Sequence, residues 1–140
     1  MSARKRLLAV LALALAVLAG RAAQPDDARY VQRYYGKGQF WEAWITQTVT
    51  EEGLAGRDDP HAWGEFVVRY IGPAPVPAGP ITFGYEATLS GTTSSGSTLD
   101  RNGRARILGR FQLLPDETIP VTVEWDGQRE RFEMAPASTE

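Results

Sequence analysis

The single histidine of the chain, His61, stands in the run Asp58-Asp59-Pro60-His61. Two carboxylates beside an imidazole are the raw material of a metal site or an acid–base cluster. Catalytic zinc, however, takes three protein ligands in fixed geometry, and one loop with Pro60 between the groups is poor scaffolding. A solvated loop is the stronger reading. A serine triad would have to recruit the same His61, and most serines fall between Ser90 and Ser97 with no Gly-x-Ser-x-Gly elbow. Asp100-x-Asn102-Gly103 echoes part of a calcium loop, but a full loop closes on a bidentate Glu, and Arg104 and Arg106 follow instead. Asx residues and Gly form turns on their own account, so a turn is expected there. Asp116 and Glu117 are neighbours and cannot flank a glycosidic bond from opposite sides. No cysteine is present, which excludes thiol catalysis, zinc–thiolate sites and disulfides. This inventory supplies no catalytic residue, no metal ligand set and no cofactor. A non-enzyme is expected, with a weak hydrolase built on Asp58, Asp59 or His61 as the enzymatic alternative.

The aromatic residues say more. Tyr30, Tyr34, Tyr35, Phe40, Trp41, Trp44 and Trp63 crowd the N-terminal half. In an extended strand Trp41 and Trp44 point to opposite faces, so at least one should be exposed or lie beneath a loop. An exposed patch of Tyr34, Tyr35, Trp41, Trp44 and Trp63 would suit a cell-wall glycan or an envelope protein. The competing reading is that these rings simply pack a small core.

The N-terminus directs where such a patch would act. Arg4-Lys5-Arg6 is a basic n-region, Leu7 to Leu18 is an unbroken apolar run, and small residues follow. That is the layout of a secretory signal peptide, expected over residues 1–23. The run is short of the roughly 20 residues of a membrane span; an uncleaved anchor is the alternative. Cleavage after Ala19, Ala22 or Ala23 is compatible with the pattern. Cutting after Ala23 removes Arg4, Lys5, Arg6 and Arg21 and no acid, taking the formal charge from −2 to −6. Nucleic acid, which wants a clustered positive face, is therefore not an expected partner, nor is an anionic membrane surface. About 115 residues remain, enough for one domain with its own core.

Residues 24–35 read as a flexible lead-in, 36–135 as the folded domain and 136–140 as a disordered tail. Phe40 to Val49 alternates, with Trp41, Ala43, Ile45 and Val49 on one face. Glu65 to Ile71 puts Phe66, Val68 and Tyr70 together. The prolines of Gly72 to Pro80 forbid helix or ladder. Ile81 to Ser90 alternates again, Gly91 to Ser97 reads as mobile, and Arg104 to Gly109 as a short strand. Asp126-Gly127 between two alternating runs is the signal of a two-residue hairpin. It sets Trp125 opposite Gln128, Glu124 opposite Arg129, Val123 opposite Glu130, Thr122 opposite Arg131, Val121 opposite Phe132 and Ile119 opposite Met134. Hydrophobic sorting and opposite charges agree on this register. Glu130 falls on the apolar side, which implies that this end of the hairpin reaches solvent. About seven short antiparallel strands and few helix signals predict an all-β chain, an immunoglobulin-like β-sandwich first and a small barrel second.

Tyr70-Ile71-Gly72 before a proline-rich bend, the run Ser90 to Gly103 with its Leu99-Asp100-x-x-Gly103 ending, and Ile119-Pro120-Val121-Thr122-Val123-Glu124-Trp125-Asp126-Gly127 resemble small secreted lipoproteins of Bacillus-type bacteria. The resemblance covers about Gly36 to Met134, and its closing hairpin is the most distinctive part. Two departures stand out. Arg21 occupies the position of the lipid-bearing cysteine, and Lys37-Gly38-Gln39-Phe40 replaces the acidic lead into the first Trp. The resemblance implies location and fold and carries no mechanism. The expectation is a secreted, non-enzymatic binding or interaction module at the cell envelope; a structural or accessory domain without a ligand is the alternative.

Overall fold

The computed structural model of the chain describes residues 29–50, 53–54, 63–73 and 75–137. The expected signal segment and the Asp58–His61 run lie outside them. Nine strands are described: β1 (Arg29–Lys37), β2 (Trp41–Thr50), β3 (Gly53–Leu54), β4 (Gly64–Tyr70), β5 (Ile81–Glu86), β6 (Gly91–Ser97), β7 (Arg104–Gly109), β8 (Ile119–Trp125) and β9 (Gln128–Pro136). Every pairing is antiparallel. Among the described residues no helix is long and apolar enough to cross a membrane.

Period-two patterning explains why these segments are strands. Trp41, Ala43, Ile45 and Val49 of β2, Phe66 and Val68 of β4, and Ile81, Phe83 and Tyr85 of β5 are buried. So are Ile119, Val121, Val123 and Trp125 of β8 and Phe132 and Met134 of β9. Each alternates with residues facing away from this interior, and burying one such large side chain is worth about 1.5–3 kcal/mol.

The strands follow one path, β6-β5-β8-β9-β1-β2-β4-β7, with β3 paired to β2 off that path. The path folds over into two facing layers, β9-β1-β2-β4-β7 and β6-β5-β8-β9, joined through β9 into a nearly closed sheet. The start of β9 pairs along β8, while Ala135 and Pro136 pair with Tyr35 and Tyr34 of β1. Where the two strands cross, Gly36 is indispensable: a Cβ there would run into the Glu133 carbonyl oxygen and lie 2.9 Å from the Met134 Cα. Rings close the space between the layers. Trp41 meets Trp125 edge-on at 5.5 Å, and Phe66 meets Tyr85 at 5.1 Å and Phe83 at 5.6 Å.

The closing hairpin has the predicted register residue for residue. Asp126 and Gly127 both have positive φ, 45° and 73°, as a type I′ turn requires. Asp100 makes the expected turn: its Oδ1 accepts from the N–H groups of Asn102 (2.8 Å) and Arg104 (3.0 Å).

Three local expectations are corrected. The lead-in is strand from Arg29 onward; it was hard to see because in 31–37 only Gln32, Tyr34 and Gly36 face inward, and β2 and β9 supply its apolar partners. Gly91–Ser97 is strand β6, held by its ladder to β5 although it carries no large apolar side chain. The alternation from Ile81 stops at Glu86, where Ala87 N–H bonds the Ser90 carbonyl in a turn and leaves Leu89 exposed. The hairpin end beside Glu130 does reach solvent, with Asp126 to Arg129 exposed, but Glu130 itself is half-buried and engaged. Its carboxylate accepts from the N–H groups of Gln39 (3.0 Å), Phe40 (3.1 Å) and Trp41 (3.1 Å) and so caps the β1–β2 turn, in the manner of an anion in a backbone nest. Gln47, fully buried, does similar work: its Oε1 accepts from Phe111 N–H at 2.9 Å and fixes the segment after β7.

Candidate functional site

The pairing β1-β2-β4-β7 creates an outward face. Antiparallel register makes Tyr35 the neighbour of Trp44, Trp44 the neighbour of Val67, and Val67 the neighbour of Arg106. One rung further along, Lys37, Glu42, Arg69 and Arg104 stand side by side. Arg33 and Glu65 share the same side of the sheet. Trp63 precedes β4 and is 63% exposed; Tyr35 is 42% exposed.

The polar groups of this face are ordered. Glu42 is buried although it points outward, because Arg69 and Tyr35 close over it. Arg69 forms an ion pair with Glu42 Oε1, and the Tyr35 hydroxyl donates to Oε2 at 2.6 Å. The hydrogen bond to that carboxylate, and burial after it, raise the Tyr35 phenol above its ordinary value of 10.0. The Arg104 guanidinium carbon lies 5.6 Å from the centre of the Trp44 ring, a cation–π contact. Val67 is only 3% exposed on the outside of its own sheet. Trp44 and the long arginine stems beside it shelter Val67 while their charged heads reach water. Arg106 approaches Glu65 at 3.5 Å, with both side chains well solvated, so that pair is weak. Over Trp44 and Val67 lies a cleft of about 590 Å³, with Arg104 and Arg106 on one side and Ser97, Thr98 and Asp100 on its rim.

The charge of the face differs from that of the chain. Arg33, Lys37, Arg69, Arg104 and Arg106 stand against Glu42 and Glu65, a net of +3 on a chain of −2.

Of the five aromatic residues expected at a surface patch, Tyr35 and a half-buried Trp44 pair on the outward face, and Trp63 is exposed separately before β4. The other two are buried. Trp41 is 0% and Tyr34 1% exposed. Trp41 packs edge-on against Tyr70 at 5.3 Å as well as Trp125. The Tyr34 hydroxyl donates to the Leu114 carbonyl, tying the segment after β7 to β1. Burial first, and the charge of Glu117 next, raise its phenol above the ordinary value. Alternation is the physical reason: Tyr34 and Trp41 sit one and three positions from their outward-facing counterparts Tyr35 and Trp44, on the opposite phase of the pleat.

The arginines were missed. Arg33-x-Tyr35-x-Lys37 and Arg104-x-Arg106 are period-two signals of one face. Their convergence depends on β4 pairing with β7, which no local pattern announces. Among the described residues no group of three or more acidic or histidine side chains gathers in a metal-binding arrangement. His61, Asp58 and Asp59 lie outside those residues. The chain matches no protein-family model, no curated protein and no solved structure.

Proposed function

We propose that this chain is a non-enzymatic binding module of the cell envelope, exported by its N-terminal signal, which engages its ligand through the outer face of β1-β2-β4-β7. The observation that carries the reading is the outward cross-strand pair Tyr35–Trp44; Trp63, just before β4 and four residues along the chain from Trp44's neighbour Val67, is a separate exposed ring. Aromatic rings held outward on a rigid sheet are costly to leave in water and suit the apolar faces of sugars or of a protein partner. Support for export comes from Arg4-Lys5-Arg6 followed by Leu7 to Leu18 and from the likeness of the closing hairpin to small secreted lipoproteins. For the fold, a small, nearly closed barrel is a better description than an immunoglobulin-like sandwich, because β9 carries hydrogen-bonded neighbours on both sides.

The test is a screen of the full chain against cell-wall glycans and envelope fractions, repeated with Trp44→Ala. Binding that falls at least about tenfold in the variant supports the reading; no binding to any fraction overturns it. Mass spectrometry of culture supernatant checks export through the mature N-terminus.

A second reading, an accessory domain with no ligand, draws on one observation. Val67 is already covered on the outer face, so part of that face is closed by its own side chains. Tryptophan fluorescence that resists soluble quenchers would favour it.

A further inference from the structure

Resting on that binding reading, we infer that the ligand is an acidic polysaccharide, held by the guanidinium groups of Arg104 and Arg106 with its sugar rings against Trp44. Three features of the cleft point this way. The first is order. Arg104 lies over the Trp44 ring at 5.6 Å. That contact holds a planar fork of donors in place at the surface, so little side-chain freedom is lost when a carboxylate or sulfate accepts from it bidentately.

The second is availability. The acidic neighbour of Arg106 is Glu65 at 3.5 Å, a long contact between two solvated side chains. An incoming acid that offers both oxygens replaces it at small cost. Arg69, by contrast, is engaged by the buried carboxylate of Glu42 and belongs to the scaffold.

The third is the rim. Ser97 and Thr98 line the cleft with hydroxyls, and Asp100 adds a carboxylate. Hydroxyls donate and accept, and a carboxylate accepts, so this rim suits the hydroxyls of a sugar. Single-stranded nucleic acid uses aromatic rings and arginine as well. It needs sustained positive charge along its track, and two carboxylates on a face of +3 interrupt one. A polysaccharide presents the apolar faces of its sugar rings between its acids, and such a face can lie against the Trp44 ring.

The experiment is affinity electrophoresis of the full chain in gels that contain one polymer each. The acidic probes are polygalacturonate and dextran sulfate. Their neutral counterparts are methyl-esterified polygalacturonate and dextran, and oligo-dT is the nucleic-acid probe. Retardation by at least one acidic polymer, about tenfold stronger than by its neutral counterpart, is the expected result. Which acidic polymer acts distinguishes carboxylate from sulfate. Arg104→Gln combined with Arg106→Gln is expected to lose about tenfold with unchanged thermal melting. Arg104→Lys, which keeps the charge without the fork, should fall between. Equal retardation by acidic and neutral polymers overturns the inference, as does full binding by the double variant or a preference for oligo-dT. Neutral binding that still depends on Trp44 overturns only the acidic specificity and leaves the binding face standing. No retardation by any of the probes overturns the inference; the wider reading falls only if envelope fractions also fail to bind.

Discussion

The two outward faces of the molecule are built alike and equipped differently. On β5, β8 and β9 the outward residues are Thr82, Gly84 and Glu86, then Pro120, Thr122 and Glu124, then Arg129, Arg131 and Glu133. No ring stands among them. Two arginines oppose three glutamates, and Glu124 and Arg129 face each other at 3.7 Å. Gly84 leaves a dent there, part of a cleft of about 350 Å³. On β1, β2, β4 and β7 the same alternation turns an exposed Tyr35 and a half-buried Trp44 outward and leaves cations in excess. Both layers contribute large side chains to the interior, so stability does not require the difference. A core needs only the inward phase of each strand. The outward phase is free to vary, and here one side carries rings and excess cations while the other carries neither.

If the faces share one interior, the element that joins them should be the most sensitive point. Gly36→Val, where β9 crosses β1, is expected to cost at least about 3–4 kcal/mol and to abolish cooperative unfolding, because it opposes backbone rather than a movable side chain. A stable, cooperatively melting variant would break the description of β9 as the joint.

Glu130 comes next. It reaches from the β8–β9 hairpin to three N–H groups of the β1–β2 turn, so Glu130→Ala should cost about 2–3 kcal/mol in urea unfolding. Glu130→Gln, which keeps one acceptor oxygen, should cost less.

A smaller effect separates the faces by pH. Burial raises the phenols of Tyr34 and Tyr85, and the Glu42 hydrogen bond raises that of Tyr35. With the folded value above the unfolded one, the stabilisation is complete below about pH 10 and lost as pH rises through the raised values. Tyr35→Phe should cost about 1 kcal/mol at neutral pH through the lost hydrogen bond. It should also make the alkaline decline shallower, which paired urea titrations at pH 7 and well above pH 10 would measure.

The smallest effect belongs to the plainer face. Arg129→Gln disturbs an exposed pair and should change stability by no more than about 0.5 kcal/mol. It should leave polysaccharide binding untouched, where Arg104→Gln reduces it. Equal losses from the two substitutions would erase the distinction between the faces.

Much of the fold was legible in the residues, and the reason is local. Asp126-Gly127 dictates its hairpin, and the runs Trp41 to Val49 and Ile81 to Tyr85 declare which side is buried. Strands without that contrast were not legible. β6 has only Gly, Ser and Thr to offer, and the inward side of β1 depends on partners far away in the chain. The candidate site was half legible for the same reason. Trp44 and Trp63 could be nominated from composition, but Tyr34 and Trp41 were nominated with them. Only the pairings of β1 with β2 and of β4 with β7 sort rings into core and surface and bring Arg104 over Trp44.

A path that ends at β6 and β7 without joining them leaves two strands with one unpaired margin each. Unguarded, such margins recruit their own kind into ribbons. Here β6 is kinked by a register shift beside Ile81 and by Gly96 at φ 72°, which makes it a poor template. A second copy approaching β7 would set Arg104 and Arg106 against the arginines of its twin. The arginines that set this face apart thus also oppose pairing of β7 with its own kind.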